Sequence, residues 1–396
     1  MEHFFATCPR GLEELLAQEL AATGAQNLRP VPGGLLFRGD WAVCYRANLS
    51  SRLATRILWR LSSASYRPEK GEEDIYRQAR EIPWERHFDL SASFRVHTTA
   101  SRSPLKSIDF VTLRVKDAVC DRFRDASGQR PDVDTADPDV RIQVYLSRQE
   151  SVLYLDTSGA PLWQRGLRHA NVEAPLKENL AAGILQRVGW QPGIPLLDPM
   201  CGGGTFVLEA ACIALNRPPG LERPRFGFES LKTYQRDLWR EIRAQAFASV
   251  RENRFLDIWA RDSDPRAVRA TQANLRNAGL EGVVEVARQD FLDSAPPTTA
   301  PGILVANPPY GERIGETEQL QQLYPAMGSV LKRRYPGWLA AILTSDPAFP
   351  GLLRLKPRRK TPLFNGALEC RLYEIEMVAG SNREKRGTES AGAESV

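Results

Sequence analysis

The run Pro195-Leu196-Leu197-Asp198-Pro199-Met200-Cys201-Gly202-Gly203-Gly204-Thr205 decides how this chain is read. A short apolar strand ends in a carboxylate, three glycines follow, and Thr205 opens a helix predicted to reach residue 215. Glycines at a strand-to-helix turn let backbone N–H groups approach a ligand where any Cβ would intervene. The plain alternative is a tight turn packed for its own sake. A P-loop is excluded because no Lys follows the glycines, and a dinucleotide fingerprint lacks its third glycine, since Val207 stands there.

Outward from this turn the pattern repeats. A helix is predicted over 177–188, and strands over 255–260, 283–286, 303–306 and 338–343, with a further helix over 264–278. Strands separated by helices imply right-handed crossovers and a mainly parallel, doubly wound sheet, whose ligands sit at the carboxyl ends of the strands. Residues 353–356 with 368–377 are expected to close the sheet as a hairpin. Upstream, short strands at 4–7, 57–61, 93–98, 141–146 and 152–156 alternate with helices at 9–23, 41–48 and 109–125. This predicts an α+β module with a mostly antiparallel sheet. The expected organisation is a small piece over 1–48, a second module over 49–156, a linker over 157–174, the parallel-sheet domain over 175–380, and a disordered polar tail over 381–396.

Composition narrows the function classes. The chain has 396 residues, 42% hydrophobic and 26% charged, which suits two or three folded domains and not a disordered chain. No apolar run is long enough to span a membrane, and the N-terminus lacks a secretory pattern. Six cysteines without a Cys-x-x-Cys pair argue against a disulfide framework or a zinc ribbon. Reduced thiols, a cytoplasmic location and no metal are therefore expected, and His3, His87, His97 and His169 have no metal-like spacing.

The net charge of +5 and a pI near 8.9 are compatible with a polyanionic partner. Between Asp40 and Glu69 there is no acidic residue, while Arg46, Arg52, Arg56, Arg60 and Arg67 all fall there. That stretch is the leading local candidate for a phosphate-facing surface, with a solvated face as the alternative. Lys332-Arg333-Arg334 and the Lys356, Arg358, Arg359, Lys360 group are weighed in the same way. An insertion over 217–254 carries Arg223, Arg225, Phe226 and Phe228, a mixture suited either to nucleic-acid contact or to packing.

Three further groups carry chemistry. Asp262, ending the next strand, can accept hydrogen bonds from both hydroxyls of a ribose, while Asp264 before Pro265 suits a helix cap. Asp290 can meet an adenine amino group. In Asn307-Pro308-Pro309-Tyr310, two prolines hold an extended backbone, so the Asn side-chain oxygen and a proline carbonyl can aim at one donor, with an aromatic ring beside them. That combination suits an exocyclic amine on a planar base.

These residues resemble the class I S-adenosylmethionine-dependent methyltransferases that modify exocyclic base amines. Arg165-Gly166-Leu167-Arg168 and Ala174-Pro175-Leu176-Lys177-Glu178-Asn179-Leu180 resemble the entry motif of the branch carrying a THUMP RNA-binding domain. Gly11-Leu12-Glu13-Glu14-Leu15-Leu16 extends the likeness, which runs to about Met377 and is strongest to the N-terminal half of the 23S ribosomal RNA guanine-N2 methyltransferases.

The resemblance implies a Rossmann-like class I domain with a mostly parallel seven-stranded sheet, preceded by an α+β ferredoxin-like and THUMP module. It implies S-adenosyl-L-methionine as cofactor and ribosomal RNA as partner. Asp198, Cys201, Gly202, Gly204 and Thr205 would line the amino-acid end of the cofactor, Asp262 its ribose and Asp290 its adenine. Asn307, Pro308, Pro309 and Tyr310 would hold the flipped guanine. Arg52, Arg56, Arg60, Arg168, Lys177 and Arg313 are the RNA-binding candidates.

Many relatives have Ser at the place of Gly203, a change expected to be harmless where backbone contacts dominate. Bacterial members often carry a second methyltransferase half, and its activity is not expected from these residues. A nucleophilic role for Cys201 is disfavoured, because the pyrimidine C5 enzymes place their thiol with a different motif near the fourth strand. The same chemistry on transfer RNA, an adenine-N6 enzyme acting on DNA, and a non-catalytic RNA-binding assembly factor are the competing readings.

Overall fold

Alternating apolar residues in the first part of the chain form β1 (Glu2–Thr7), β2 (Gln26–Val31), β3 (Gly34–Gly39), β4 (Arg56–Ser65), β5 (Phe94–Ala100), β6 (Val140–Leu146) and β7 (Glu150–Asp156). In the computed structural model, which describes residues 1–167, 176–308 and 316–378, they make one seven-stranded sheet in the order β2-β3-β1-β4-β7-β6-β5. Side chains of 316–321 lie outside the described set. Every neighbouring pair is antiparallel except β5 beside β6. Strand β4 joins the two halves of the sheet, since Arg56–Trp59 pair with β1 and Leu58–Ser65 pair with β7.

Helices Glu13–Ala22, Trp41–Ser50, Gly71–Glu81 and Ile108–Ser127 pack on one face of this sheet. Trp41 meets Trp59 edge-on at 5.0 Å, and the Thr112 hydroxyl donates to Thr98 Oγ1 at 2.7 Å. The helix at Gly71–Glu81 is absent from the sequence-based expectation. Its charged turns mask a narrow buried stripe of Ile75, Gln78 and Ala79.

The chain divides into two compact units, and the division differs from the expected boundaries. Arg217–Val250 folds with Met1–Gly166, whereas Leu167–Asn216 joins Arg251–Val396. Packing accounts for the insertion. Phe228 lies 4.5 Å from the Tyr45 ring and 5.1 Å from Trp239. Arg223, only 6% exposed, donates to the carbonyls of Pro161, Gln164 and Ala160 at 3.0, 2.9 and 2.8 Å. The start of the expected linker is equally committed to the first unit. Buried Thr157 and Ser158 bond Asn48 at 2.9 and 2.6 Å. Residues 168–174 of the expected linker, and the tail, lie outside the described residues.

The second unit contains β8 (Leu196–Asp198), β9 (Ile258–Asp262), β10 (Glu285–Arg288), β11 (Ile303–Ala306), β12 (Leu339–Thr344), β13 (Arg359–Asn365) and β14 (Leu368–Glu376). Its sheet order is β10-β9-β8-β11-β12-β14-β13. The first five strands in that order are parallel, and β14 runs antiparallel to both neighbours. The closing hairpin is therefore present, but its first strand is Arg359–Asn365. Residues 353–356, expected there, begin at the last residue of the short helix Phe349–Leu353, whose Phe349 and Leu353 are buried in the core with Tyr324 and Tyr373. Because the order runs β8-β9-β10 outward on one side and β11-β12 on the other, the switch point lies between β8 and β11. Such a reversal leaves a crevice at the strand ends. Among the described residues no helix is long and apolar enough to cross a membrane.

Candidate functional site

Asp198 ends β8, and the turn that follows is held by backbone geometry. Gly202 and Gly204 have φ of 53° and 80°, a region open to glycine at little cost. A Cβ on Gly204 would stand 2.8 Å from the Thr271 methyl group. The turn is tied inward by Gly204 N to Cys201 O at 2.7 Å and Cys201 N to Arg261 O at 2.9 Å. Gly204 then caps helix Thr205–Ala214 without offering a side-chain acceptor.

Sequence reading missed the side chains that clamp this turn. The Thr271 hydroxyl donates to Gly202 O at 2.8 Å, and Asn274 Nδ2 donates to Gly203 O at 3.0 Å. Both side chains are fully buried on helix Pro265–Asn277. The available signal was two polar residues three apart on the apolar face of that helix, beside Val268 and Leu275.

Asp262 is half-buried and organises the same turn. Its Oδ2 accepts from Gly202 N at 2.9 Å and its Oδ1 from Asp264 N at 2.9 Å. Asp264 caps the helix as expected, accepting from Arg266 N at 2.8 Å. Asp290 is exposed and accepts from Leu292 N at 2.8 Å in its own turn.

Burial, with the Asp262 carboxylate adding to it, holds the Asp198 carboxyl well above the usual carboxylate range. Burial also pushes the Cys201 thiol up, and the Asp198 charge pushes it further, so the thiolate is scarce near neutral pH. Cys201 Sγ instead lies 3.4 Å from Thr271 Oγ1.

Half-buried Asn307 and buried Pro308 follow β11, which pairs with β8 through Ile303–Leu196 and Leu304–Leu197. Register places Arg288 beside Asp262 and Asp198 beside Ala260. Four adjacent parallel strands thus bring Asp290, Asp262, the glycine turn and Asn307 to one edge of the sheet. Pro309, Tyr310 and Arg313 lie outside the described residues, as does Arg168.

The arginine stretch does not form one surface. Arg46 Nε donates to Thr23 O at 2.9 Å, Arg52 to Arg217 O at 2.6 Å, and Arg56 to Asp156 and, at 2.6 Å, to Gly159 O. Arg67 pairs bidentately with Asp74 at 2.6 and 2.9 Å. These internal partners replace the open phosphate-facing position expected of Arg52 and Arg56, whereas half-buried Arg60 lines a surface groove. Lys177 precedes helix Glu178–Arg187, its N–H 3.5 Å from Asn365 Oδ1. In the C-terminal basic groups, Arg334 donates to Ser294 O at 2.9 Å and Arg358 pairs with Glu374 and Glu376.

Comparison with known proteins agrees with this architecture. Residues 3–58 match the RlmL ferredoxin-like domain, 69–156 the THUMP domain, and 165–374 the RMKL-like methyltransferase domain. The chain is 38% identical to the ribosomal RNA large subunit methyltransferase K/L of Aeromonas salmonicida, over 96% of its own length and 55% of the relative's. It spans about half the length of several such relatives. It also covers 96% of the putative RNA methyltransferase slr0064 of Synechocystis, at 37% identity over 94% of this chain. Among solved structures, SMU.472, a putative methyltransferase complexed with SAH, superposes with a TM-score of 0.85 at 30% identity, covering 96% of this chain and 99% of the other. TrmN from Thermus thermophilus shares the fold, with a TM-score of 0.68 at 22% identity, covering 96% of this chain and all of the other. The chain thus belongs to the RMKL-like family of S-adenosylmethionine-dependent methyltransferases, with ferredoxin-like and THUMP domains ahead of the methyltransferase domain.

Proposed function

We propose that this protein methylates the N2 amine of a guanine in 23S ribosomal RNA, with S-adenosylmethionine as donor. One observation carries the reading: Asn307-Pro308 and the glycine turn leave adjacent strands at the switch point of the sheet. An acceptor for a base amine and a cofactor cradle then share one crevice.

The residues suit the cofactor. A Cβ at Gly204 would run into the buried Thr271 side chain, so glycine is what lets the turn pack against helix Pro265–Asn277. Buried Asp198, its carboxyl pushed up by desolvation, gains most from a cationic group such as the methionyl ammonium. Asp262 uses one lone pair of each oxygen within the protein and keeps others for ribose hydroxyls. Asp290 stands at the end of the neighbouring strand, where an adenine amino group would meet it. Cys201, Gly202 and Thr205 supply the backbone of the cradle.

When bound, S-adenosylmethionine supplies an electrophilic methyl group on a sulfonium. The chain's part is positioning: Asn307 and the Pro308 carbonyl accept from the guanine amine, and Pro309 and Tyr310, outside the described residues, are the candidates the sequence offers beside them. Such orientation is worth on the order of 7 to 11 kcal/mol. The amine proton becomes acidic as nitrogen is alkylated, so Asn307 orients and does not act as a base. The guanine must leave its helix at a cost of roughly a few kcal/mol, which stacking on Tyr310, at about 1 to 3 kcal/mol, offsets in part.

The test is transfer of labelled methyl from S-adenosylmethionine to unmodified 23S RNA and, separately, to bulk transfer RNA, with digestion to nucleosides. Label in N2-methylguanosine from 23S RNA is the expected result. Label confined to transfer RNA moves the substrate, and label on another atom or none in either RNA refutes the reading.

A further inference from the structure

Where the insertion at 217–250 meets β6 and the loop after β7, the first compact unit holds a cavity of about 250 Å³. Its charged lining is Arg141, Arg165, Arg223 and Arg225 against Asp137 and Asp139, a surplus of two positive charges. Basic side chains are usually found where water can solvate them. Here Arg165 and Arg223 are 1% and 6% exposed.

These buried guanidinium groups are fixed before any ligand arrives. Arg165 donates to the carbonyls of Leu162 and Arg52, each at 2.6 Å. Arg223 spends its two terminal nitrogens on carbonyls, those of Pro161, Gln164, Ala160 and, at 3.4 Å, Ser158. Its Nε has no acceptor among the described residues. Carbonyls orient the Arg223 cation without neutralising it, and an uncompensated buried charge is costly. The wall itself is tight, since a Cβ on Gly227 would stand 2.4 Å from Asp156 O and 2.8 Å from Gly159 N.

The carboxylates nearby are already committed. Asp156 is ion-paired with Arg56. At the rim, Arg225 reaches Asp137 at 3.1 Å and Asp139 at 3.2 Å, and Arg141 reaches Asp137 at 3.6 Å. The Asp137 side chain is 78% exposed, so water screens it. The field reaches Arg223: burial first, then Arg165, Arg56 and Arg141, lower its pKa to about 10, and Asp156 offsets only part.

We propose that this cavity binds a small doubly charged oxyanion, inorganic phosphate or a phosphate monoester, with Arg141 and Arg225 as ionic partners and Arg223 Nε as the buried donor. A phosphate monoester carries about −1.5 to −2 charges at neutral pH, which matches the surplus of the lining. Charge-assisted hydrogen bonds from arginine suit its oxygens, and donors already held in place lose little freedom on binding. A backbone phosphodiester is a poorer match, because it carries one charge and two ester arms into a recess floored by buried side chains. Phosphate binding here does not depend on which base the protein methylates.

The experiment is titration calorimetry of the full chain with inorganic phosphate, in a buffer free of other oxyanions and at constant ionic strength, with Tm followed across the same series. Binding should saturate, and Tm should rise with occupancy. Kosmotropic salt alone stabilises without saturating, so calorimetry separates the two effects. Dimethyl phosphate, a singly charged diester, should bind about tenfold more weakly or worse.

Arg141→Gln should weaken phosphate binding about tenfold, through one lost charge-assisted contact. Asp137→Asn should tighten it about threefold, because that carboxylate competes for Arg225 and Arg141. A general fold defect would not move the two variants in opposite directions. Arg80→Gln, outside the cavity and paired with Asp125, should bind as the unaltered chain does. The proposal is overturned if phosphate binding does not saturate, if Arg141→Gln keeps its affinity, if Asp137→Asn weakens binding, or if Arg80→Gln loses as much as Arg141→Gln. Dimethyl phosphate binding as tightly as phosphate also overturns it, since the cavity would then be reading a phosphodiester. Neither cofactor nor RNA is present in the titration, so a wrong methyl acceptor and an empty cavity give separate failures.

Discussion

The two seven-stranded sheets of this protein offer ligands different surfaces, and burial shows why. Strands β8, β9, β11 and β12 are buried along nearly their whole length, on both faces. A sheet covered on both sides has only its strand ends to offer, and there the glycine turn, Asp262, Asp290 and Asn307 gather. In β5 and β6 buried residues alternate with exposed or half-exposed ones, so these strands of the N-terminal sheet keep one face open, although β7 between β6 and β4 is buried on both. A site at strand ends is made from short contiguous motifs, whereas a site on a face is made from single residues of many strands.

The comparison is broken most directly at Asn307. If the strand ends do the chemistry by orientation, Asn307→Ala should lower kcat about 100-fold while leaving the Kd for S-adenosylmethionine within about twofold. Equal losses in both would make Asn307 part of the cofactor cradle instead. Titration calorimetry alongside single-turnover methyl transfer separates the two.

Next in size is Gly204→Ala. A residue with a Cβ at φ of 80° costs about 1 to 2 kcal/mol, and here the Cβ also meets Thr271. Cofactor affinity should fall about tenfold or more, and Tm with it. Unchanged cofactor binding would show that the turn tolerates a side chain where the structure gives it no room.

Asp198→Asn should produce opposite effects on stability and binding. A folded carboxyl held above its unfolded value binds its proton more tightly than the unfolded chain does. Stability of the unliganded protein therefore falls as pH rises from the ordinary carboxylate range towards the raised value. Removing the charge should flatten that part of the Tm–pH curve and raise Tm at neutral pH, while weakening S-adenosylmethionine binding. A lower Tm at neutral pH would mean that the charge is already compensated in the unliganded fold.

The smallest effect is expected from Gly203→Ser. Gly203 has no positive φ, and it is held through its carbonyl by Asn274, a bond that a side chain leaves intact. The change should cost about 1 kcal/mol or less in stability at this buried position and leave cofactor affinity unaltered, measured by denaturant unfolding and calorimetry.

Much of this was legible in the chain because it is local. The helix capped by Asp264, the strand before Asn307 and the turn after Asp198 are each written in a few consecutive residues, where capping, glycine conformation and apolar runs act. The helix at Gly71–Glu81 was not legible, since its narrow buried stripe sits among Glu72, Glu73, Asp74, Arg77 and Arg80. Nor was the clamp from Thr271 and Asn274, about seventy residues away from the glycines it holds. The hairpin was expected with the wrong first strand, because 353–356 is apolar enough for either a strand or the end of a core helix.

The sequence by itself determined the motifs and their order, hence a parallel sheet with the Asp198–Thr205 glycine turn and the Asn307-Pro308-Pro309-Tyr310 motif following its strands. Only the tertiary structure decided which charged and aromatic residues face outward. Arg56 reads like Arg60 along the chain, yet Asp156, 100 residues on, neutralises the first and leaves the second in a groove with Arg29 and Arg38. Phe226 and Phe228 read along the chain as suited to either contact or packing, and the fold makes them core, because Tyr45 and Trp239 enclose Phe228 and Trp239 also packs against Phe226. The physical reason is that backbone preference acts over a few residues, whereas burial and ion pairing depend on partners that only the folded chain brings together.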